Sequence, residues 1–174
     1  MITRIFFNTF LTTLPESIGN LRSLKLLDLS NIQLTTLPGW IGNLESLQGL
    51  GLCNNQLTTL PEWIGNLTSL QTLQLRENQL TTLPGSIDNL KSLEELDLEG
   101  NLLNQELKKI VKMANGDIQF ILRKLREIFE KERLEVEKEE MEKRYKRERP
   151  IIEKLIQEMK FSDAVLKIII PETC

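Results

Sequence analysis

The chain has 174 residues, a formal net charge of −3 at pH 7 and a sequence pI near 5.3. This length allows one main domain with an appendage, and the acidic balance gives the chain as a whole no electrostatic reason to bind nucleic acid. The sequence contains no histidine, the commonest general base and metal ligand, so we expect neither an enzyme nor a bound metal or other cofactor. The two cysteines, Cys53 and Cys174, lack CxxC pairing and indicate free thiols in a reducing, cytoplasmic compartment. No apolar run approaches the roughly 20 residues that span a bilayer.

A 23-residue repeat begins at Leu11, and residues 1–10 match the last part of it as a degenerate partial repeat or N-terminal cap. When they are aligned on that period, Phe6 takes the place of Leu29 and Arg4 falls where an inward leucine belongs. Two interpretations remain open for this edge. Either repeats are missing upstream, or the apolar residues cap the exposed first strand; these residues are Ile2, Ile5, Phe7 and Phe10.

Residues 11–103 contain four copies of the repeat, beginning with LTTLPESIGNLRSLKLLDLSNIQ, without an insertion. In the LxL portion the two leucines, such as Leu27 and Leu29, point the same way because strand side chains alternate. Four stacked copies bury these leucines in a continuous core behind a parallel sheet. A proline after an inward leucine, as at Pro15, fixes the backbone where the chain turns toward the other wall. The sequence therefore predicts an α/β solenoid.

The patterns LPxxIxxLxxL and LxxLxLxxNxL resemble the leucine-rich-repeat family, in particular its 23-residue bacterial and Ras-group subtype. The resemblance implies a curved parallel sheet on the concave side and an internal ladder of hydrogen-bonded asparagines. In this sequence the ladder positions are Asn55, Asn78 and Asn101. Ile32 and Thr9 occupy the same slot in earlier repeats, so we expect the ladder to be absent at the N-terminal end.

Strand alternation assigns the outward positions of the four repeats to three columns on the concave face. These residues are the predicted partner-binding site: Leu26, Gly49, Thr72 and Glu95; Asp28, Gly51, Gln74 and Asp97; Ser30, Cys53, Arg76 and Glu99. The fourth repeat is acidic, which favours a protein partner with a basic surface; the alternative is that these carboxylates only keep the chain in solution.

Three further features of the repeats carry local predictions. Gly49 and Gly51 leave a shallow depression where a ligand chain could approach the backbone, unless they reflect drift on an unselected surface. Trp40 and Trp63 share one repeat position, where they form a structural staple or anchor a partner. Cys53 is a nucleophile only if Arg76 or another cation lowers its pKa, and neighbouring carboxylates oppose that.

Residues 104–174 predict a helical cap and a charged helical tail. Two helices joined at Asn115-Gly116 begin this region, with Ile110, Val111 and Met113 expected against the last repeat. From Arg123 to Arg149, 20 of 27 residues are charged, which favours a solvated single helix over a coiled-coil dimer. Pro150 predicts a break before a further amphipathic helix, and Ile168, Ile169 and Ile170 need cover, from the 118–129 helix or from a partner.

Taken together, these features predict a non-catalytic protein-interaction module, an adaptor or scaffold with a place in signalling. The stretch KKIVKMANGDIQFILRKLRE resembles the segment that joins repeats to the GTPase domain in bacterial Roco proteins, but no GxxxxGK[ST] loop is present to bind phosphates. The main alternative is a truncated regulatory arm of a larger Roco-like GTPase. A third is an exported effector protein that acts on host signalling.

Overall fold

A parallel sheet of five short strands runs through the repeat region of this computed structural model, which describes residues 3–6 and 14–158. The strands are β1 (Arg4–Phe6), β2 (Leu26–Asp28), β3 (Gly49–Gly51), β4 (Thr72–Gln74) and β5 (Glu95–Asp97), and they pair in chain order. From β2 to β5 each pair keeps the 23-residue offset, as in Leu27 opposite Leu50. The solenoid predicted from the repeat is thus confirmed.

Each repeat returns through a 3-10 helix on the wall opposite the strands. These helices span Glu16–Asn20, Gly39–Asn43, Glu62–Asn66 and Gly85–Asn89. A proline in extended conformation precedes each helix, as Pro15 does with φ −63° and ψ 125°. Proline has no backbone N–H that would need a hydrogen-bond partner here, and its ring fixes φ. It therefore suits the point where the chain leaves the side of the strands.

The core lies between the strands and the 3-10 helices and consists of the repeated leucines and isoleucines. Leu27, Leu50 and Leu73 are almost fully buried behind the strands, and Ile41 and Ile64 are fully buried on the opposite wall. Burying one such side chain contributes roughly 1.5 to 3 kcal/mol. The core therefore extends through all the repeats without a break.

The register of β1 differs from the sequence prediction. Arg4 pairs with Leu26, Ile5 with Leu27 and Phe6 with Asp28, an offset one residue shorter than the repeat period. The prediction that Arg4 takes an inward leucine position was wrong. A slip of one residue exchanges the two faces of a strand, and this slip turns half-buried Ile5 toward the core while Arg4 and Phe6 face outward.

Two helices follow the last repeat. Helix α1 (Gln105–Ala114) begins at Asn104, whose side chain accepts a hydrogen bond from the Leu107 N–H at 2.8 Å. It ends at Asn115, which is left-handed with φ 45°. The predicted join at Asn115-Gly116 is therefore where α1 gives way to α2 (Ile118–Glu158).

The two helices bury one face each within the unit Met1–Glu127. Leu107, Ile110 and Ala114 are buried on α1, and Ile121, Leu122 and Leu125 on α2. Gln119 Nε2 donates to the Leu93 carbonyl of the last repeat at 3.3 Å. Met113 was also expected to be covered, but it is 70% exposed, because it lies about 100° round the helix from the buried face.

The second unit, Ile128–Cys174, contains the rest of α2. The helix continues through Pro150 to Glu158, so the predicted break at Pro150 was wrong. Proline removes one intrahelical hydrogen bond but keeps a helical φ, and the ion pair of Arg149 with Glu153 at 2.7 Å spans that turn. Thr9, Cys174 and the apolar segment with Ile168, Ile169 and Ile170 lie outside the described residues.

The charged part of α2 contains ion pairs between side chains four residues apart. Six are present in the described part of the second unit: Lys131–Glu135, Arg133–Glu137, Glu139–Lys143, Glu142–Lys146, Arg144–Glu148 and Arg149–Glu153. Each such pair stabilises an isolated helix by roughly 0.2 to 0.5 kcal/mol. Across residues 3–6 and 14–158, no helix combines the length and apolarity needed to cross a membrane.

Candidate functional site

The concave face is held in place by asparagine side chains behind the strands. Asn78 Nδ2 donates to the carbonyls of Leu52 (2.9 Å) and Leu75 (3.0 Å), and its Oδ1 accepts from the Leu57 N–H at 3.1 Å. Asn55 and Asn101 make the same three contacts one repeat to either side. Each asparagine thus joins two adjacent repeats, and the carbonyls of Leu52 and Leu75 each accept from two asparagines of the ladder.

The ladder slot of the first full repeat is filled by Ile32, which is buried. The turn around it contains two left-handed residues, Asn31 at φ 62° and Gln33 at φ 60°, whereas later repeats have one. The missing side-chain hydrogen bonds therefore coincide with a different turn geometry.

Strand pairing brings the predicted surface residues into columns. Leu26, Gly49, Thr72 and Glu95 lie side by side across β2 to β5, as do Asp28, Gly51, Gln74 and Asp97. The register of β1 adds Arg4 to the first column and Phe6 to the second. The sequence did not place Arg4 and Phe6 on this face. Aligning β1 one residue short of the repeat period, so that Ile5 is buried instead of Arg4, would place both there.

The third column lies just beyond the strand ends and is tied together by hydrogen bonds. Ser30 Oγ accepts from the Cys53 N–H at 3.1 Å, and Arg76 Nη1 donates to Glu99 Oε2 at 2.5 Å. Asp28 and Asp97 each accept the N–H two residues later, at Ser30 and Glu99, both at 3.0 Å. These aspartates therefore shape the turns as well as carrying charge.

A depression of about 210 Å³ opens on this face where β3 lacks side chains, with Phe6, Leu26, Asp28, Gly51, Thr72 and Gln74 around it. A Cβ at Gly49 would lie 2.5 Å from Leu26 Cδ2, and one at Gly51 would lie 2.5 Å from Asp28 Oδ1. The neighbouring side chains thus lean over the glycines, which are buried. A ligand here would meet Leu26 and Asp28 rather than bare backbone.

The acidic end of the face lies at β5. Glu95 and Glu99 are exposed and Asp97 is half-buried. Arg76 pairs with Glu99, whereas Glu95 forms no ion pair with any residue in the described part of the chain. Negative charge is therefore left over at this end.

Cys53 is a free cysteine on the same face. Its pKa is raised, first by burial and then by the charges of Asp97 and Asp28, against the lowering effect of a hydrogen bond from the Arg76 backbone. A raised pKa keeps the thiol protonated, which opposes nucleophilic chemistry. Within residues 3–6 and 14–158, no group of acidic or cysteine side chains could hold a metal ion.

Trp40 and Trp63 each pack on a glycine of the preceding repeat, on the wall of 3-10 helices. A Cβ at Gly19 would lie 2.8 Å from Trp40 Cβ, and one at Gly42 would lie 3.3 Å from Trp63 Cε3. Both tryptophans are half-buried. These contacts join adjacent repeats, which agrees with a structural role for the two tryptophans.

A family model described as a leucine-rich repeat region matches residues 17–155, and the chain belongs to the leucine-rich-repeat family. Among solved structures it is similar to the leucine-rich-repeat protein LIC12759 of Leptospira interrogans, with 41% identity, a TM-score of 0.55 and coverage of 62% of this chain and 27% of that chain. The chain therefore spans 27% of the length of that relative.

Other similar structures share the repeat at lower overlap. Internalin C2 of Listeria monocytogenes is 27% identical, with a TM-score of 0.48 and coverage of 53% of this chain and 40% of that one. The ectodomain of the Arabidopsis thaliana receptor kinase GASSHO1/SCHENGEN3, solved in complex with CASPARIAN STRIP INTEGRITY FACTOR 2, is 37% identical, with a TM-score of 0.47 and coverage of 51% and 11%. No curated protein matches the chain.

Proposed function

We propose that this chain is a non-catalytic protein-binding module, a cytoplasmic adaptor whose concave face binds a partner with a basic surface. The observation that carries the proposal is the set of outward side chains on β2 to β5, which are aligned in columns and take no part in the core. Membership of the leucine-rich-repeat family supports a binding role, and the raised pKa of the Cys53 thiol is unfavourable for catalysis there.

Charge supports a basic partner. Glu95 and Asp97 lie on β5 and Glu99 just beyond it, and Arg76 offsets only one of these three charges. A basic surface would be drawn to this end during association and held there, with an effect that weakens as salt screens it.

The test is affinity capture from native lysate with the intact chain and with the variant Arg76→Glu, Glu95→Lys, Asp97→Lys. The matched control, Arg22→Glu, Glu45→Lys, Glu16→Lys, makes the same change of charge at exposed positions away from the concave face. All three proteins must show the same circular dichroism spectrum. A partner retained by the control and lost by the concave variant supports the proposal; retention by both, or no specific partner, contradicts it.

The alternative is a regulatory arm of a larger Roco-like GTPase. It is favoured by the similarity of residues 108–127 to the segment that joins repeats to the GTPase domain in that family. The neighbouring reading frames discriminate between the two: a frame with a GxxxxGK[ST] loop immediately downstream favours the arm.

We further propose that the chain is a monomer. Many of the charges on the described part of α2 are engaged in ion pairs within the helix, which need no second copy. Sedimentation equilibrium at micromolar concentration gives the mass of one chain if this is right and of two if α2 forms a coiled coil.

A further inference from the structure

The apolar part of the concave face lies at its N-terminal end. Phe6 is 64% exposed there, although large aromatic side chains are usually covered. It borders the same depression as Leu26, whose side chain occupies the space that Gly49 leaves open. The depression is smaller than the roughly 300 to 1,000 Å³ of most small-molecule sites, so its size suits a single side chain.

Charge changes sign along the first column and the residues just before the strands, whereas the second column is acidic at β2 as well, through Asp28. Arg4 is exposed on β1 and Lys25 immediately precedes β2, whereas Glu94 and Glu95 take the corresponding places at β5. Between them lie neutral residues, Gln48 and Gln71. A ligand that fits both ends must therefore place an apolar group at the depression and a cationic group toward β5.

We propose that the concave face binds an extended peptide segment that places one aliphatic side chain in the depression and a lysine or arginine, three or four residues away, against Glu95 and Asp97. This inference rests on the proposed protein-binding function and specifies the partner's chemistry.

The spacing follows from the pairing of the strands. Gly51 and Asp97 occupy one column two strands apart, which is about 10 Å at the usual strand separation. A polyproline-type chain rises about 3.1 Å per residue with about three residues per turn, so side chains three positions apart lie on the same side, whereas in a β-extended chain they point to opposite sides. The two recognised side chains are therefore about three residues apart, or four when the basic side chain folds back.

The experiment uses the full ¹⁵N-labelled chain, titrated with short Gly/Ser peptides and followed through the amide signals of Gly49, Gly51 and Asp97. One peptide has a leucine and an arginine three positions apart; others carry the leucine alone, the arginine alone, or the pair at spacings of about one and about seven. We expect the three-position peptide to bind about tenfold more tightly than any other, because the two contacts are then made together.

Variants assign each contact to its residue. In Phe6→Ala we expect the leucine of the peptide to add no affinity while the arginine still does. In Glu95→Gln we expect the arginine to add no affinity while the leucine still does. Both positions are exposed, so neither change is expected to unfold the chain. Glu16→Gln, on the opposite wall, is the matched control and leaves all affinities unchanged.

Two results would overturn the inference. Equal affinity at all spacings shows that the two contacts are not linked, and shifts at Asp97 without shifts at Gly49 and Gly51 show that the depression takes no part. Either can occur while the charge-reversal capture succeeds, so failure of this inference is distinct from failure of the proposed function.

Discussion

At the scale of single residues, one position in every repeat requires a left-handed backbone. It is occupied by Asn31, Asn54, Glu77 and Gly100, with φ between 54° and 75°. Asparagine and glycine adopt this conformation readily, but glutamate does not. Gly100 has a second constraint, because a Cβ there would lie 2.6 Å from the Glu77 carboxyl carbon.

Glu77→Asn should therefore stabilise the chain. Asparagine already serves at the same position in two other repeats, and we expect a gain of about 1 kcal/mol in the free energy of unfolding. Urea denaturation measures it, with Glu94→Asn, at an exposed position without a left-handed backbone, as the control for loss of a charge. A loss of stability at Glu77→Asn would show that its carboxylate matters more than its backbone strain.

Substitution of a ladder asparagine should change the free energy of unfolding by more, and in the destabilising direction. Asn78→Ala removes four side-chain hydrogen bonds and leaves the Leu57 N–H buried without a partner, so we expect a loss of about 2 to 3 kcal/mol. The carbonyls of Leu52 and Leu75 each keep one bond, from the neighbouring ladder asparagines. Asn101 is half-buried, so water can replace part of its bonds in Asn101→Ala and the loss is about half as large. Equal losses in urea denaturation would contradict this account of burial.

At the scale of elements, adjacent 3-10 helices are joined where a glycine of one repeat meets the next. Gly19 meets Trp40, Gly42 meets Trp63, and a Cβ at Gly65 would lie 2.5 Å from the Ser86 carbonyl oxygen. In the last repeat this position is Asp88, whose Oδ2 accepts from Arg126 Nε at 2.6 Å. Helix α2 thus contacts the last repeat at the position where a further repeat would otherwise pack.

Gly65→Ala is expected to lower the free energy of unfolding by about 1 to 3 kcal/mol, because the new methyl group meets backbone that cannot move alone. Gly39→Ala is the matched control, since nothing lies within 4 Å of a Cβ there. Thermal unfolding followed by circular dichroism compares the two. A similar fall in both would attribute the loss to the backbone conformation of glycine rather than to contact.

The charged part of α2 makes a prediction about pH. The pKa of Glu142 is lowered by its hydrogen bond with Lys146 and by the charge of that lysine. Because the folded pKa lies below the unfolded one, the stabilisation is present above the ordinary glutamate range and disappears as pH falls through the folded pKa. NMR titration should give Glu142 an ordinary midpoint in Lys146→Met but a lower one in the parent chain; equal midpoints would contradict the pairing.

How far the sequence predicts these elements depends on how often a pattern recurs. The leucine columns could be placed because four copies specify one register, and the role of Asn78 because the repeat resembles the leucine-rich-repeat family. The single partial repeat at β1 could not, since the strand follows the burial of Ile5 rather than the period. The break predicted at Pro150 was wrong because proline keeps a φ within the helical range, and the helix continues on both sides of it.

At the scale of the whole molecule, the solenoid is a one-dimensional stack in which each repeat contacts its neighbours. Such a stack is stable only if its ends are closed, because an open end exposes leucines that have no partner. The C-terminal end of the repeats is covered by Leu107, Ile110 and Ile121, and the ion pair of Asp88 with Arg126 holds that cover in place.

Arg126→Ala should therefore loosen one end and leave the other unchanged. Loss of the half-buried pair costs about 1 kcal/mol, and in a stack of this kind the local opening it allows is confined to the adjacent repeat. Hydrogen exchange should become faster at the amides of Leu96 and Leu98, with no change at Leu27 and Leu29. Asp88→Asn should give the same pattern, and the double variant no more than either alone, because both remove one interaction. Faster exchange spread evenly from β2 to β5 would show instead that the repeats open as one cooperative body.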